Sequence, residues 1–264
     1  MSVVAPTGRQ ALDAALAAHR AAGGLVLGER PGATLLTPLS ESATLGLAGG
    51  LALAGKKVVV ELVEAAGLVR AADVAGDLGE IAARSRGAWS APVLVLAPLG
   101  EGEALPALPA GWRSFVVGRA GDVGALYAAA AAAAPAVLFL TEAALDGREA
   151  AQAAGPGAAL LRAGARVTLA ALGAGVPVAL AAAELLAAAG VEAEVLDLRG
   201  PAGADAALVA SVKKTGRVVL VGHGPADAAL YAAAFWNLES EPRAVAATAG
   251  VEALVGIVHE TLEA

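Results

Sequence analysis

The stretch Thr37-Pro38-Leu39-Ser40-Glu41-Ser42-Ala43-Thr44-Leu45-Gly46-Leu47-Ala48-Gly49-Gly50 decides how the rest of this chain is read. Pro38 favours extended backbone at Thr37, and Ser40 is placed to accept from the orphan amides of a helix start. The glycines and alanines that follow let that helix approach another backbone closely. Glu41 then falls in the first helical turn. A carboxylate there has two readings: a surface glutamate favoured by the helix dipole, or an acid held in an apolar niche for proton chemistry.

Outward from this run, apolar strands alternate with helical segments. Gly24–Gly28, Lys57–Leu62, Pro92–Leu96, Ser114–Val117 and Ala136–Leu140 read as strands of a first series. Arg166–Leu172, Glu192–Leu198, Arg217–Val221 and Arg243–Thr248 read as strands of a second. Helices are expected over Val176–Ala189, Ala204–Lys214, Pro225–Phe235 and Val251–Ala264. Such alternation implies crossover connections and parallel sheets. Between the series, Asp146–Gly164 lapses into glycine, proline and small polar residues, a composition that suits a link between domains.

Composition agrees with two compact α/β domains, since 264 residues with 58% hydrophobic content supply ample core. Aromatics are only 3%, so that core must be closely packed alanine-rich helices against Val/Leu strands. There is no cysteine, which excludes disulfides, thiolate catalysis and Cys-based zinc sites. A net charge of −7 with interspersed signs argues against a nucleic-acid partner. Val123–Leu140 is uncharged, but Pro135 divides it into an alanine helix and a short strand rather than a membrane span. The N-terminus has no basic region followed by an apolar one, and Arg9, Asp13 and Arg20 punctuate the first helix. A soluble, cytoplasmic protein is expected.

Thr37-Pro38-Leu39-Ser40-Glu41-Ser42 resembles the Thr-Pro-Leu-x-Glu-Ser segment in the β subunits of thiamine-diphosphate-dependent 2-oxoacid dehydrogenases of the pyruvate and branched-chain type. These belong to the transketolase-like pyrimidine-binding family. Ala54–Glu61 and Arg84–Pro98 are similar to the family's next helix end and strands, and Val167–Leu169, Gly190–Arg199 and Ser211–Val219 resemble its C-terminal domain. The resemblance implies an α/β fold of two doubly wound domains with mainly parallel sheets. A transketolase-like pyrimidine-binding domain would occupy residues 1–148, a linker 149–163, and a transketolase C-terminal-like domain 164–264. It also implies thiamine diphosphate as cofactor. Glu41 would be the catalytic carboxylate, hydrogen-bonded to N1′ of the aminopyrimidine so as to favour the tautomer that deprotonates the thiazolium. Desolvation would raise its pKa toward the working range. Glu29, in Gly28-Glu29-Arg30, is similar to the family's Gly-Glu-Asp start and is a second candidate cofactor contact. No Gly-Asp-Gly motif with a downstream asparagine is present, so the magnesium and diphosphate half of the site would lie on a partner chain. The partner would be an α-type subunit or another copy of this chain.

Three departures bear on function. Only six residues separate Arg30 from Thr37, where the family carries a longer loop. Leu62–Val69 supplies no aromatic platform, a loss of roughly 1 kcal/mol in stacking. The segment after Pro98, Leu99–Pro106, lacks the family's histidine. The three histidines, His19 in a helix, His223 in a glycine turn and His259 in the last helix, have no sequence neighbour suggesting a dyad. Gly173-Ala174-Gly175 lacks the third glycine of a dinucleotide fingerprint and reads as a tight strand-to-helix turn, while Glu239 and Glu241 read as a solvated loop. Two functions of different class therefore stand. The chain is a β-type subunit that supplies Glu41 to thiamine diphosphate, or a catalytically degenerate paralogue, a homo-oligomeric assembly protein without cofactor.

Overall fold

The computed structural model describes residues 5–37, 40–100, 102–148, 155–200, 204–222 and 235–263. Pro38, His223, nearly all of the helix expected over Pro225–Phe235, and residues 149–154 of the expected linker lie outside them. Two sheets organise the chain. The first has six strands in the order β2-β1-β3-β4-β6-β5, all pairs parallel. These are β1 (Leu25–Gly28), β2 (Leu35–Leu36), β3 (Val58–Glu61), β4 (Val93–Leu99), β5 (Arg113–Val117) and β6 (Ala136–Thr141). The second has five, in the order β11-β10-β8-β9-β7. Here β8 (Val167–Ala171), β9 (Ala193–Asp197), β10 (Val218–Val221) and β11 (Arg243–Val245) are parallel, and β7 (Ala159–Arg162) pairs antiparallel with β9. The α/β class with mainly parallel sheets is as the sequence implies.

Side-chain parity along the strands builds the layers. Val58 and Val60 face a cluster with Leu45, Ala48 and Ala52 of α2 (Glu41–Leu53) and Ala75 and Leu78 of α4 (Ala72–Arg84). Val59 points the other way, toward Leu12 and Leu16 of α1 (Gly8–Ala21) and Leu126 of α5 (Val123–Ala132). Helices thus cover both faces, as a buried parallel sheet requires. The remaining helices are α3 (Ala66–Arg70), α6 (Glu142–Asp146), α7 (Gly175–Ala188), α8 (Ala204–Thr215) and α9 (Gly250–Glu263). On the second sheet α7 and α9 share one core, with Ala179, Leu186, Leu254 and Val258 against Leu169 and Val195. Leu208 and Val212 of α8 join the cluster on its other side. Capping follows the sequence. Thr7 and Gln10 form a reciprocal capping box on α1, and the Ala43 amide donates to Ser40 Oγ at 3.3 Å on α2.

Two sequence expectations are modified. Ala159–Arg162, inside the stretch expected to be a linker, extends the second sheet as an antiparallel edge strand. The strand expected over Arg243–Thr248 stops at Val245 and turns into a short 3-10 helix, Ala247–Ala249. Gly173-Ala174-Gly175 is a tight turn. Gly173 takes φ +54, and the amides of Gly175 and Val176 donate back to Leu172 O and Gly173 O at 3.0 and 3.1 Å.

The two sheets share one core cluster and one buried ion cluster. Val116 and Phe139 of the first sheet belong to the same cluster as Leu172, Leu196, Leu198 and Leu220 of the second. Arg199, fully buried at φ +56, reaches Asp122 at 2.8 Å and Asp197 at 3.5 Å, and its carbonyl accepts from the Val116 amide at 2.7 Å. Burial pushes the Asp197 carboxyl up to about 6, against the opposing pull of Arg199.

Candidate functional site

Glu41 is the first residue of α2, one position past the Ser40 cap. It lines a hollow at the carboxyl ends of β1 and β3, with Gly28, Glu29, Thr37, Thr44, Glu61, Leu62 and Val63. In open parallel sheets ligands bind at the carboxyl ends of strands. Glu29 and Glu41, the two cofactor-contact candidates, therefore face the same hollow. Glycines make the cradle. A Cβ at Gly67 would press within 3.1 Å of Glu41 Cγ, and one at Gly28 within 3.1 Å of Glu61 Cβ. Thr37 is buried, and its Oγ1 has no hydrogen-bond partner. An orphan hydroxyl in the wall of a polar hollow is an unmet demand for a ligand or water.

Four residues that the sequence did not single out as site residues complete the arrangement, Glu61, Glu64, Arg70 and Ser42. Glu61 ends β3 after three buried valines. Arg70 ends α3 and donates to Glu41 Oε1 from Nε at 3.1 Å and from Nη2, while its Nη1 donates to Glu64 Oε1 at 2.7 Å. The Ser42 hydroxyl donates to the Arg70 carbonyl at 3.3 Å, tying the end of α3 to the start of α2. A charged residue closing an apolar strand was the available signal for Glu61. For Arg70 there was none, because its partner lies 29 residues away.

Electrostatics separates the two glutamates. Hydrogen bonding from Arg70 holds the Glu41 carboxyl below its ordinary range, outweighing desolvation. The Arg70 guanidinium is correspondingly raised by Glu41 and Glu64. Glu61 is pushed up, chiefly by burial, with Arg30 and Arg20 pulling down and Asp13 pushing up. The raised pKa expected for Glu41 is thus reversed in this chain, because a guanidinium occupies the carboxylate that burial was to desolvate.

The residues present fit one edge of an aminopyrimidine. Glu41 offers the carboxylate, Thr37 an unused hydroxyl, and Gly28 and Gly67 the close approach. The hollow is about 30 Å³, room for about one water, whereas a cavity of roughly 150 Å³ takes a benzene ring. The remainder of a ring site would have to come from another surface. Leu62 and Val63 stand where stacking would be needed, and the residues lining the hollow include no cation for a diphosphate. Among the described residues no cluster of three His, Asp or Glu side chains could hold a metal ion.

Other candidates resolve elsewhere. His19 Nε2 lies 3.3 Å from the Leu25 carbonyl, and His259 is exposed on α9. Glu239 pairs with Arg217 at 2.8 Å, and Glu103 accepts from the Gly100 amide at 2.9 Å. A larger cavity of about 230 Å³ lies between the domains, bounded by Leu105, Val116, Thr141, Gly173 and Ala246. The first amides of α7 beside it are already bonded to Leu172 and Gly173, and Pro177 has none to offer.

Comparison with known proteins agrees with this architecture. Residues 157–253 match the family described as transketolase, C-terminal domain. The chain is 32% identical over 205 residues to the pyruvate dehydrogenase E1 component subunit beta of Bacillus subtilis (strain 168), covering 70% of this chain and 63% of that protein. It therefore spans somewhat under two thirds of the length of that relative. Among solved structures, a split-gene transketolase described as an inactive β4 tetramer superimposes with TM-score 0.78 over 99% of both chains, at 20% identity. A 2-oxoglutarate:ferredoxin oxidoreductase from Magnetococcus marinus gives TM-score 0.68 over 98% of this chain and 65% of that one, at 13% identity. Residues 157–253 thus match the transketolase C-terminal domain family, and the chain is similar over 205 residues to a pyruvate dehydrogenase E1 β subunit, on a transketolase-like fold.

Proposed function

We propose that this chain is the aminopyrimidine-facing half of a two-chain, thiamine-diphosphate-dependent 2-oxoacid dehydrogenase component. The observation that carries the reading is the placement of Glu41. A capped helix start sets this carboxylate on the rim of a hollow at the carboxyl ends of β1 and β3, over a glycine floor and beside the orphan hydroxyl of Thr37. Thiamine diphosphate, when bound, supplies the carbanion-stabilising centre that 2-oxoacid decarboxylation needs. Glu41 would hold a proton toward the ring nitrogen, the unpartnered Thr37 Oγ1 would bind the ring's edge, and Glu29 would close the rim. Magnesium and diphosphate are left to a partner chain.

The surface beside Glu41 supports such a partner. Ala43, Gly46, Leu47, Gly50 and Leu53 form an exposed, uncharged face of α2, and nothing lies within 4 Å of a Cβ built on Gly46 or Gly50. The Bacillus relative is itself named a β subunit, and the split-gene transketolase chain of matching span is described as inactive as a tetramer of β chains. An α-type subunit is the partner this reading requires. No helix among the described residues is long and apolar enough to cross a membrane.

The second reading, an assembly protein without cofactor, is favoured by Arg70 on Glu41 and by the missing aromatic platform. Native mass spectrometry of the protein from its own cells separates them. The enzyme reading expects a complex with a second chain carrying thiamine diphosphate mass, in which Glu41→Gln abolishes thiamine-dependent turnover while circular dichroism is unchanged. A cofactor-free homo-oligomer, or full activity in Glu41→Gln, overturns it.

A further inference from the structure

We infer that Arg70 is a built-in occupant of Glu41, a guanidinium that holds the carboxylate until an aminopyrimidine arrives and then moves over to Glu64. The inference rests on the proposed reading of Glu41 as the ring's partner.

The geometry is that of a side chain shared between two carboxylates. Nε and Nη2 both donate to Oε1 of Glu41, and Nη1 donates to Glu64. Both guanidinium contacts fall on Oε1, so Arg70 and a ring nitrogen at Oε2 would share one carboxyl. They also demand opposite protonation. A guanidinium stabilises the carboxylate, whereas the ring nitrogen needs a proton between it and the oxygen. Arg70 pairing and a proton shared with the ring are therefore opposed states of one carboxyl, the first favouring its ionised form and the second its protonated form.

Release is built into the surroundings. The Arg70 side chain is 48% exposed and Glu64 56%, against 30% for Glu41, so the second partner sits on the solvent side and the first on the hollow side. Exposed ion pairs are weak, and turning toward Glu64 keeps one of them. The backbone does not need to follow, because Ser42 holds the Arg70 carbonyl independently of the guanidinium. Without Arg70, Glu41 would stand beside Glu29 and Glu61 on the rim of one small hollow, an arrangement of like charges that a nearby cation relieves.

The test uses the full chain and 4-amino-5-hydroxymethyl-2-methylpyrimidine, the part of the cofactor that this half of the site would face. Carbon-13 NMR follows the Glu41 carboxyl through a pH titration, and the same spectra report binding of the pyrimidine to wild type, Arg70→Gln and Glu64→Gln. In Arg70→Gln, Glu41 should titrate at higher pH and the pyrimidine should bind about two- to fivefold tighter, the size of an exposed ion pair. In Glu64→Gln, which removes the landing partner, binding should weaken by a similar factor. A merely structural arginine would not move the two variants in opposite directions. Equal binding by all three proteins, with Glu41 titrating alike, overturns the role of Arg70 and leaves the function standing. No binding by any of them, Arg70→Gln included, overturns the role of Arg70 and leaves the proposed function, which draws the rest of the ring site from a partner, to the mass spectrometry.

Discussion

Glu41 and Glu61 face one hollow and are driven in opposite directions, and stability should report the difference. Glu41 is depressed by Arg70, so its pairing stabilises the fold above the ordinary glutamate pKa and is lost as pH falls through the lowered value. Urea unfolding should therefore show the deficit of Glu41→Gln at pH 7 closing in acid. Glu61 is raised by burial, so its contribution is greatest in acid and is lost as pH rises through the raised value. Glu61→Gln should gain on wild type between pH 4 and pH 8, and a gain in the opposite direction would contradict its desolvation. The sequence made Glu41 and Glu29 legible because both lie in short motifs whose residue types announce a helix start and a strand end. Arg70 and Glu64 were not legible. Their meaning is spatial, and arises only when α3 folds back across the start of α2.

At the scale of elements, the apolar runs predicted their strands closely. Val58–Val60, Val93–Ala97 and Ala136–Leu140 are buried on both faces, which is why they read as unbroken hydrophobic stretches. The elements that escaped are those that burial does not specify. β2 is two exposed leucines, and β7 is an edge strand set among glycines and alanines. Helix α4 carries a sharper lesson in two glycines three residues apart. A Cβ on Gly76 meets nothing within 4 Å, whereas one on Gly79 would lie 2.1 Å from the Ala110 carbonyl oxygen and 2.7 Å from the Trp112 ring. That ring is itself fixed, its Nε1 donating to the Ala75 carbonyl at 2.7 Å. Gly76→Ala should stabilise the chain by about 0.5–1 kcal/mol through helix propensity. Gly79→Ala, with the same propensity gain, should destabilise it by about 1–3 kcal/mol because backbone must shift. Thermal melts of the two variants decide this, and the same sign for both would refute the packing described.

For the whole molecule, the core shared by the two sheets and the Arg199 cluster predict one cooperative unit. Calorimetry should show a single transition, with van't Hoff and calorimetric enthalpies equal. Arg199→Met removes the cation between Asp122 and Asp197 and should cost about 3–5 kcal/mol, the scale for breaking a buried pair. The cluster also makes stability depend on pH. Asp197 is raised to about 6 from 3.8, so the stability it contributes is fully present below 3.8 and is lost as pH climbs through 6. Relative to Asp197→Asn, wild type should gain up to about 3 kcal/mol on passing from pH 7 to pH 4, measured by denaturant unfolding. The Asp197-Leu198-Arg199 run was visible in the sequence, but its service as a bolt between the two sheets was not, since Asp122 lies in the short 3-10 helix that follows β5 of the other sheet. The uncharged outer face of α2 has a further consequence. That helix begins with Glu41, so on the proposed function a single rod of 13 residues would carry both the surface offered to a companion chain and the group offered to the ring. Recognition and reactivity then stand or fall together. On that proposal, a companion that seats wrongly would tilt the carboxylate with the rod, and a mismatched assembly would be silent instead of releasing half-processed substrate.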